Sequence, residues 1–451
     1  MKFKRAAIIL FLVAAYNPHC ICAEDVAAKK GQEDKKNISI SQGIQMVLSD
    51  NRLIKVTIPD NEMAYQDTLV SRSVLLPNLN VTAVKTYNRF QDKMKFGSDA
   101  FAVSDKDPFS FGVDVYQTLF DFGKSLSNYR ASKELWKATQ AHTESVKRVA
   151  TLEFLIAYFN VLEAEKMIVV AQREMESLES YLKDTEHLYE QGVVVRNDLL
   201  PTKVRLADAK QKLIAARNDR EVATARLNNI LALPLRENIG LQDIQMQSPQ
   251  LPEIEGAWKE AEVKRPEITF YSNSIKASFF SEKAKQVENL PVVFAEGGYT
   301  YNQNKYQVHE DNLSVNLGAK MNFYDGGAAK AEVLKERSLQ KQLKEKKNKL
   351  IEDIKFEIED SFFGLKNACE EVIVARDALE QAGENVRFYR VKYNNGSATP
   401  TDVLAAIALE TKAQTNYFSA DYGLKRNYAK LMYAMGQDLK SIYEKIEKEK
   451  Q

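Results

Sequence analysis

Cysteine is nearly absent from this chain, which has three among its 451 residues. Cys20 and Cys22 lie in an N-terminal segment that we expect to be removed, so Cys369 would remain alone. A single cysteine excludes an intrachain disulfide framework in the mature protein. We interpret Cys369 as a small apolar residue that is buried within a helix.

Proline, glycine and an excess of charge of either sign are also scarce. The 11 Pro and 18 Gly, together with 28% charged residues, are typical of a helix-rich chain. The 63 basic and 62 acidic residues give a net charge of +1. This balance provides no general attraction for nucleic acid, and we expect no nucleic-acid partner.

Long apolar runs are missing beyond the first 23 residues. At the N-terminus, basic residues at positions 2, 4 and 5 precede the apolar residues 6–16. This layout predicts a secretory signal peptide over residues 1–23, with cleavage near Ala23. Since no run of 18 apolar residues follows, contact with a membrane would require strands or an interfacial face.

The sequence also lacks the motifs that indicate an enzyme. It has no phosphate-binding glycine loop, no His-Glu-x-x-His and no Gly-x-Ser-x-Gly. His142, His187 and His309 are too scattered to predict a metal site. We therefore expect no enzymatic activity, no metal and no cofactor.

What the chain does contain is an internal repeat. Three pairs of landmarks have the same offset of 204 positions: Asp121 and Asp325, Gly192 and Gly396, and Asp198 and Asp402. The local motifs also agree, since Phe-Asp-Phe-Gly returns as Tyr-Asp-Gly-Gly, and Tyr-x-x-Gly occurs in both halves. A constant offset between distant landmarks indicates a duplicated unit with few insertions inside it.

Alternation of apolar and polar residues predicts four strands. The two clearest cover residues 109–120 and 313–323, each with apolar side chains on one face and small or polar side chains on the other. Residues 80–87 and 292–302 are weaker partners, so each half is predicted to form one hairpin. The first hairpin loop is expected to be about ten residues longer than the second.

Strands of about ten residues with one apolar face match the wall of a membrane β-barrel. A soluble antiparallel sheet with one buried face has the same pattern. On the polar face, Asp114 and Lys320 are candidates for lining a lumen, or else belong to a solvated sheet surface.

Each half is predicted to turn sharply from strand to helix. After Asp121 and Asp325 the apolar period changes from that of a strand to that of a helix. Asp is a good N-cap residue, and Gly123, Gly326 and Gly327 permit the sharp turn.

The helices that follow are predicted to be very long. Residues 124–191 and 328–395 contain no proline. Each segment predicts one helix of about 65 residues and about 100 Å, which a globular core does not need and an extended bundle does. Gly192 and Gly396 are expected to end these helices.

Returning helices are predicted over residues 198–233 and 401–435. Asp198 and Asp402 lie near their starts, where a carboxylate favours the positive end of the helix dipole. The plain interpretation of both residues is helix capping.

Shorter helices are predicted over residues 39–73, interrupted at Pro59, and over residues 266–289. The whole chain then divides into a signal peptide (1–23), a flexible N-terminal segment (24–37), a first repeat (38–233), an inter-repeat connector (234–256), a second repeat (257–436) and a charged C-terminal tail (437–451).

Four strands are too few to close a barrel, which takes about eight, and open sheet edges do not occur in lipid. If these strands lie in a membrane, several identical chains must each contribute four. The patterns therefore favour a mostly α-helical fold with a membrane β-sheet, in which a ring of chains forms a pore that is continued by long helices.

Nearly all of the chain after the signal peptide resembles the TolC family of outer membrane efflux proteins. The duplicated halves, the strand-end Asp-Gly turns and the Tyr-x-x-Gly turns followed by Asp-Leu-Leu and Asp-Val-Leu carry this resemblance. It implies a homotrimer with a twelve-stranded β-barrel in the outer membrane and an α-helical barrel in the periplasm. It also implies a periplasmic adaptor protein and an inner-membrane transporter as partners.

The resemblance further implies roles for the turns between long helices. Asp198 and Asp402 match a periplasmic gate that constricts the pore, and Arg196 lies in the first turn of that region. The residues that match adaptor-contacting tip turns are Gly192, Val193, Gly396 and Ser397. Two positions depart from the family pattern, because Ala405 replaces a second Asp and Ala398 replaces an Arg.

The leading functional hypothesis is a passive outer membrane exit duct for small molecules. The alternative within transport is the outlet of type I protein secretion. The alternative from another class is a periplasmic or surface coiled-coil scaffold or adhesin with a soluble sheet. These are distinguishable, because a soluble sheet should have its apolar face covered by helices.

Overall fold

The structure is a computed structural model that describes residues 36–192, 195–246 and 249–448. The predicted signal peptide and nearly all of the predicted flexible segment 24–37 lie outside the described residues, as does Val193.

The first repeat consists of a short strand, two helices, a hairpin and a pair of long helices. Its elements are β1 (Lys36–Ile38), α1 (Ile40–Asp50), α2 (Arg52–Ser73), β2 (Asn78–Lys85), β3 (Lys93–Phe96), β4 (Asp99–Ala102), β5 (Phe109–Phe120), α3 (Lys124–Glu190) and α4 (Arg196–Ile230).

The second half has the same order of helix, hairpin and long helices, and it ends in one further helix. Its elements are β6 (Ile239–Leu241), α5 (Ile254–Lys264), α6 (Pro266–Gln286), β7 (Val292–Asn302), β8 (Asp311–Lys320), α7 (Ala328–Asn394), α8 (Pro400–Ala434) and α9 (Leu439–Lys448).

The element boundaries confirm the internal repeat. Helices α3 and α7 start at residues 124 and 328, and α4 and α8 at 196 and 400, an offset of 204 in both cases. Upstream of the hairpins, α1 and α5 start at residues 40 and 254, an offset of 214. The difference of ten arises between the start of the first long strand and the start of the long helix in each repeat. The first hairpin loop, residues 86–108, is longer than the second, residues 303–310, as predicted, but by 15 residues and not ten.

The four long strands form one antiparallel sheet in the order β2-β5-β7-β8. The β5–β7 pairing joins the two repeats. Residues that share one row across the sheet are Val81, Val113, Tyr299 and Leu313. All four are odd-numbered and apolar or aromatic, so the alternation predicted for separate strands merges into one continuous apolar face.

This apolar face is open to the surroundings in the single chain. On the outer strands, the side chains of Leu79, Val81, Leu313, Val315 and Leu317 are between 64% and 79% exposed. The other edges of β2 and β8 pair with no strand among the described residues. The sheet therefore has an uncovered apolar face and two open edges.

Two strand predictions were displaced by a few residues. Strand β2 covers residues 78–85 where 80–87 was predicted, and β8 covers 311–320 where 313–323 was predicted. Strand β7 begins only at Val292, directly after Pro291, which has no N–H to donate. Residues beyond Lys320 therefore have no partner, and Met321 and Phe323 lie outside the sheet.

The predicted long helices are confirmed. Helices α3 and α7 each contain 67 residues, so each is about 100 Å long at 1.5 Å per residue. Helix α3 packs against α2, α4, α6 and α8, and α7 packs against α5, α6 and α8. Among the helices that the structure describes, none has the length and apolar character needed to cross a membrane.

The largest hydrophobic core forms a belt around the middle of α3. Phe154, Tyr158 and Phe159 are fully buried there. They pack with residues of α1, α9, β1 and the connector. The Tyr158 hydroxyl accepts from the Gln242 amide at 2.9 Å and lies 3.0 Å from the Ile38 carbonyl oxygen. Burial raises the pKa of Tyr158, which keeps the phenol neutral.

Helix α7 contributes to a second core cluster against α5 and α8. Cys369 lies within α7 and packs against this cluster, but it is half-buried and not fully buried as expected. Burial raises the pKa of the Cys369 thiol.

The interruption predicted at Pro59 was wrong. The helix breaks instead at Asn51, whose side-chain oxygen accepts from the amides of Leu53 and Ile54 at 2.9 and 3.4 Å. Asn51 therefore caps a new helix, whereas Pro59 lies inside α2. Packing of α2 against α3 outweighs the one backbone hydrogen bond that Pro59 removes.

The connector and the C-terminal tail each contain an element of regular structure. In the connector, β6 pairs in parallel with β1. The predicted tail contains α9, and its Glu447 carboxylate accepts from the amides of Ile40 and Ser41 at 2.7 and 3.2 Å. These bonds satisfy free amides at the start of α1 and attach the C-terminus to the belt.

We predict that Tyr158→Phe destabilises the belt without changing its packed volume. The substitution removes the hydroxyl that accepts from the Gln242 amide and donates to the Gln242 carbonyl at 2.7 Å, and it leaves that amide only a bond of 3.4 Å to the Ile38 carbonyl. This loss should cost about 1–3 kcal/mol. The measurement is the midpoint of heat unfolding by circular dichroism. Tyr324→Phe is the control, because Tyr324 is 81% exposed and should not change the midpoint. Equal midpoints for the two variants would contradict the prediction.

Candidate functional site

The strand-to-helix junctions have the same geometry in both repeats. Gly123 and Gly327 adopt φ values of +82° and +91°, which glycine reaches without strain. The Asp121 carboxylate accepts from the amides of Gly123 and Ser125 at 3.1 and 2.7 Å. These bonds satisfy amides at the start of α3 that have no intrahelical partner.

Asp325 repeats this arrangement at the start of α7. Its carboxylate accepts from the amides of Gly327 and Ala329, each at 2.8 Å. The N-cap position belongs to Gly123 and Gly327, not to the aspartates as we expected. Each Asp instead lies two residues before the N-cap glycine and accepts from amides at the start of the helix. The side-chain bond from Asn289, then those from the two amides, lower the pKa of Asp325.

The junctions are also tied to helix α6. Asn289 donates to Asp325 at 2.8 Å, and Lys124 pairs with Glu288 at 2.6 Å. The residues just after α6 therefore contact the starts of both α3 and α7. Because α2 and α6 enter the sheet at the end where α3 and α7 leave it, all four helices lie at one end of the strands.

At the far ends of α3 and α7 the chain reverses through glycine. Gly192 and Gly396 have φ values of +76° and +69°. The Gly396 amide donates to the Tyr393 carbonyl at 2.9 Å, and the Ser397 amide donates to the Lys392 carbonyl at 2.8 Å. This pair of bonds is a Schellman motif, which satisfies the last carbonyl groups of α7.

Asp402 lies in the first turn of α8, but it is not the N-cap residue. Thr399 is the N-cap, and its hydroxyl accepts from the Asp402 amide at 3.3 Å. In return, the Asp402 carboxylate accepts from the Thr399 amide at 2.8 Å and from its hydroxyl at 2.7 Å. These bonds form a capping box, and the bonds from Thr399 lower the pKa of Asp402.

Asp198 occupies the equivalent place in the first repeat. Helix α4 begins at Arg196, so Asp198 is its third residue, just as Asp402 is the third residue of α8. The side chain of Asp198 lies outside the described part of the structure. The Arg196 side chain is exposed at the start of α4.

Side chains from both repeats hold the two helical tips together. The rings of Tyr181 and Tyr393 meet at 5.3 Å in a T-shaped arrangement, and Arg390 donates to the Ser177 hydroxyl. The apolar cluster around them contains Leu178, Val386, Val403 and Ile407. The tip turns of the two repeats therefore lie at the same end of one bundle.

Sequence reasoning missed this contact. Tyr393 was noticed only as a landmark of the repeat, and Tyr189 is its equivalent. In the structure Tyr393 is 8% exposed and Tyr189 is 42% exposed, so the same motif position packs in one repeat only. Ala398, which departs from the family pattern, packs against this tip cluster, whereas Ala405 is exposed.

The polar face of the sheet carries the even-numbered residues. Asp114 accepts from the Asn80 side chain at 2.9 Å, and Lys320 lies at the end of β8 on the same face. This face also carries one aromatic pair, Tyr116 and Phe294, whose rings stack at 5.3 Å. Within the described ranges, no group of three or more His, Cys, Asp or Glu is placed to hold a metal ion.

Comparison with protein families gives a match to the outer membrane efflux protein model. The matched residues are 43–233 and 258–437, which are well over half of the chain. The two matched ranges correspond closely to the two repeats.

Two curated relatives are similar over different lengths. The alkaline protease secretion protein AprF of Pseudomonas aeruginosa is 22% identical over 308 residues, which are 66% of this chain and 63% of AprF. This chain therefore spans less than two thirds of AprF. The outer membrane protein TolC of Escherichia coli is 21% identical over 440 residues, which are 91% of this chain and 85% of TolC.

The structure also resembles solved channels. The Campylobacter jejuni CmeC outer membrane channel superposes with a TM-score of 0.79 at 14% identity, covering 96% of this chain and 97% of that chain. At this identity the likeness shows a shared fold.

We predict opposite effects of two Gly→Ala substitutions in α7 and its turn. Gly396→Ala places a side chain at φ +69° and should cost about 1–2 kcal/mol. Gly383→Ala lies within the helix, where no atom outside the neighbouring backbone lies within 4 Å of the new methyl group, and it should stabilise by about 0.5–1 kcal/mol. Amide hydrogen exchange across residues 385–403 measures both effects. Slower exchange in both variants would show that the turn does not need a left-handed residue.

Proposed function

Because the chain belongs to the outer membrane efflux protein family, and is thus an outer membrane channel for efflux or secretion, we propose that it is the exit duct of a tripartite efflux system. In this proposal three copies form a passive conduit for small molecules. An inner-membrane transporter supplies the energy, and a periplasmic adaptor protein connects the two.

The observation that carries the proposal is the four-stranded sheet with an exposed apolar face and two open edges. Unpaired edge amides and carbonyls are not tolerated in hydrocarbon, where each lost hydrogen bond costs several kcal/mol. Three copies that join β8 of one chain to β2 of the next would satisfy both edges and give twelve strands. The odd-numbered apolar face would then contact lipid, and the even-numbered polar face would line the lumen.

The helices support the second half of the duct. The four helices that adjoin the sheet, α2, α3, α6 and α7, all meet it at one end, and α3 and α7 extend for about 100 Å. Three copies of the paired long helices would continue the lumen of the barrel across the periplasm. The tip turns, held together by Tyr181 and Tyr393, would then form the end that meets the adaptor.

Secretion of proteins is the second candidate function. It is favoured by one observation, the 22% identity to a relative that is named for secretion of alkaline protease. The match to AprF covers 63% of that protein, whereas the match to TolC covers 85% of TolC. The coiled-coil scaffold receives less support, because the apolar face of the sheet is exposed rather than covered by helices.

We further propose that Asp198 and Asp402 form a ring of carboxylates at the periplasmic gate. Their equivalent positions in α4 and α8 would place six such groups around the pore of a trimer. Ala398 and Ala405 remove two charged groups that the family pattern would place nearby. The gate of this chain would therefore depend on fewer ion pairs.

The mass and shape of the detergent-solubilised mature protein test the duct. Light scattering should give the mass of three chains, and negative-stain images should show a tube of about 100 Å below a detergent belt. A monomer, or a rod without a belt, would exclude the barrel and leave the scaffold as the explanation.

The gate predicts a change in conductance. Replacing Asp198 and Asp402 with Ala should raise single-channel conductance in planar bilayers and weaken block by multivalent cations, since the cations lose the carboxylates that hold them. Ala405→Asp should strengthen the block. Asp50→Ala, an exposed substitution at the end of α1, serves as the control. Unchanged block in the double variant would remove both residues from the gate.

The pH dependence of the block gives an internal check on Asp402. The bonds from Thr399 lower the pKa of Asp402. The stability that the capping box gives the tip is therefore complete at pH values above the pKa of Asp in the unfolded chain, and it is lost as the pH falls through the lower pKa of the folded state. Cation block should therefore persist into more acidic solution than the ordinary pKa of Asp predicts. Thr399→Ala should move the loss of block to higher pH.

A further inference from the structure

The first repeat contains a structural unit that the second repeat lacks. Residues 86–108 connect β2 to β5 and include the hairpin β3–β4, whereas residues 303–310 connect β7 to β8 directly. The hairpin turns at Gly97, which has a φ of +63° that suits a two-residue turn. Since the second repeat forms its strand pair without such a hairpin, the β3–β4 hairpin is not needed for the fold of the repeat.

The hairpin is amphipathic across its two faces. Met94 lies directly opposite Phe101, and Phe96 lies on the same face, opposite Asp99 at the turn. Their side chains are 63%, 59% and 81% exposed. Lys93 and Lys95 lie on the other face, opposite small alanines. A two-stranded hairpin with three large apolar side chains in water is poorly stable by itself, so something should cover that face.

The loop is nevertheless held in place at its base. The Val103 amide donates to the Asp92 carbonyl at 3.0 Å, and Gln91 donates to the Ser104 carbonyl at 2.7 Å. Asn304 of the other loop donates to the Val103 carbonyl at 3.1 Å. These hydrogen bonds fix the residues that flank the hairpin, so the position of its apolar face relative to the sheet is also fixed.

Three of the four aspartates in this loop are engaged, whereas Asp99 at the hairpin turn and the three lysines of the loop make no ion pair within the described residues. Asp105 pairs with Lys305, and Asp107 accepts from the Asn88 amide at 3.1 Å. Asp92 accepts from the Ser104 hydroxyl at 3.2 Å. Within the described part of the chain, Lys93 and Lys95 make no ion pair. The hairpin thus presents free ammonium groups beside its apolar face.

The position of the hairpin indicates what covers it. The hairpin lies at the end of the sheet opposite to helices α2, α3, α6 and α7. In the proposed duct this end lies at the level of the outer lipid headgroups. Interfacial segments of this kind bury an apolar face at the boundary of headgroups and acyl chains, with Lys at the headgroups. Cationic residues there favour anionic phosphate lipids.

We propose that the β3–β4 hairpin is a membrane anchor that binds phosphorylated lipids of the outer leaflet. Met94, Phe96 and Phe101 contact acyl chains, and Lys93 and Lys95 contact lipid phosphates. This inference rests on the proposed function, since that function sets which end of the sheet faces outward.

A tryptophan reporter tests the apolar contact. Phe101→Trp is made in the full mature protein, together with Tyr306→Trp in the other loop as the matched reporter. Both variants are reconstituted into vesicles of phosphatidylcholine and phosphatidylglycerol with brominated acyl chains. The unsubstituted protein is measured in the same vesicles, because the fluorescence of Trp136 and Trp258 must be subtracted from that of each variant. Quenching should be at least about threefold greater for Phe101→Trp, because acyl bromines lie below the headgroups.

A charge variant tests the phosphate contact. Two vesicle mixtures of equal composition are compared, in which only the neutral or only the anionic lipid is brominated. Phe101→Trp should be quenched at least about threefold more by the anionic lipid. Lys93→Gln with Lys95→Gln should remove this preference, whereas Lys106→Gln, an exposed lysine in the same loop outside the hairpin, should keep it.

Three results would overturn the anchor. The first is an unquenched Phe101→Trp with the emission wavelength of tryptophan in water, which would mean that the face stays in solvent. The second is an unquenched Phe101→Trp with blue-shifted emission, which would mean that a second copy of the chain covers the face. Quenching without a lysine-dependent lipid preference would equally exclude the phosphate contact. Single-channel conductance of each variant is recorded in parallel. Absence of conductance in the unsubstituted protein would defeat the duct, whereas normal conductance with unquenched tryptophan would defeat the anchor alone.

Discussion

An open sheet that exposes its apolar face is the physical constraint on which the rest of this structure depends. Each chain supplies only four strands, and its own helices leave from one end of them rather than covering them. Neither the edge hydrogen bonds nor the apolar surface can be satisfied within one chain. The proposed duct, its lipid-facing and lumen-facing sides, and the proposed level of the β3–β4 hairpin in the membrane all depend on how the open edges and the apolar face are covered.

The junctions convert this sheet into a long tube. At Gly123 and Gly327 a left-handed residue bends the chain, and Asp121 and Asp325 accept from the free amides that follow. A rigid turn of this kind determines the angle at which α3 and α7 leave the sheet. At the middle of α3, the belt around Tyr158 joins this helix to α1 and α9. The two repeats are therefore held together there as well as at the sheet.

Duplication gives the two halves the same elements, but not the same contacts. Tyr393 is buried against Tyr181 at the tip, while its equivalent Tyr189 stays largely in solvent. Only the first repeat has the hairpin between its long strands. Functions that need one surface per chain, such as a docking tip or a lipid contact, can therefore arise from a repeated sequence without being repeated themselves.

Local physics made much of this protein predictable from its sequence. Alternation placed all four long strands, a proline-free 3.6 period placed two 67-residue helices, and the paired glycines marked where they end. Errors arose where a contact with another element decides the outcome. Strand β8 ends early because Pro291 offers no N–H to pair with, and Pro59 stays inside α2 because α2 packs against α3. Only the tertiary structure merged the strands into one exposed apolar face, brought Tyr181 to Tyr393 and set α9 against α1. These contacts join residues far apart in the chain, and periodicity reports on neighbours alone.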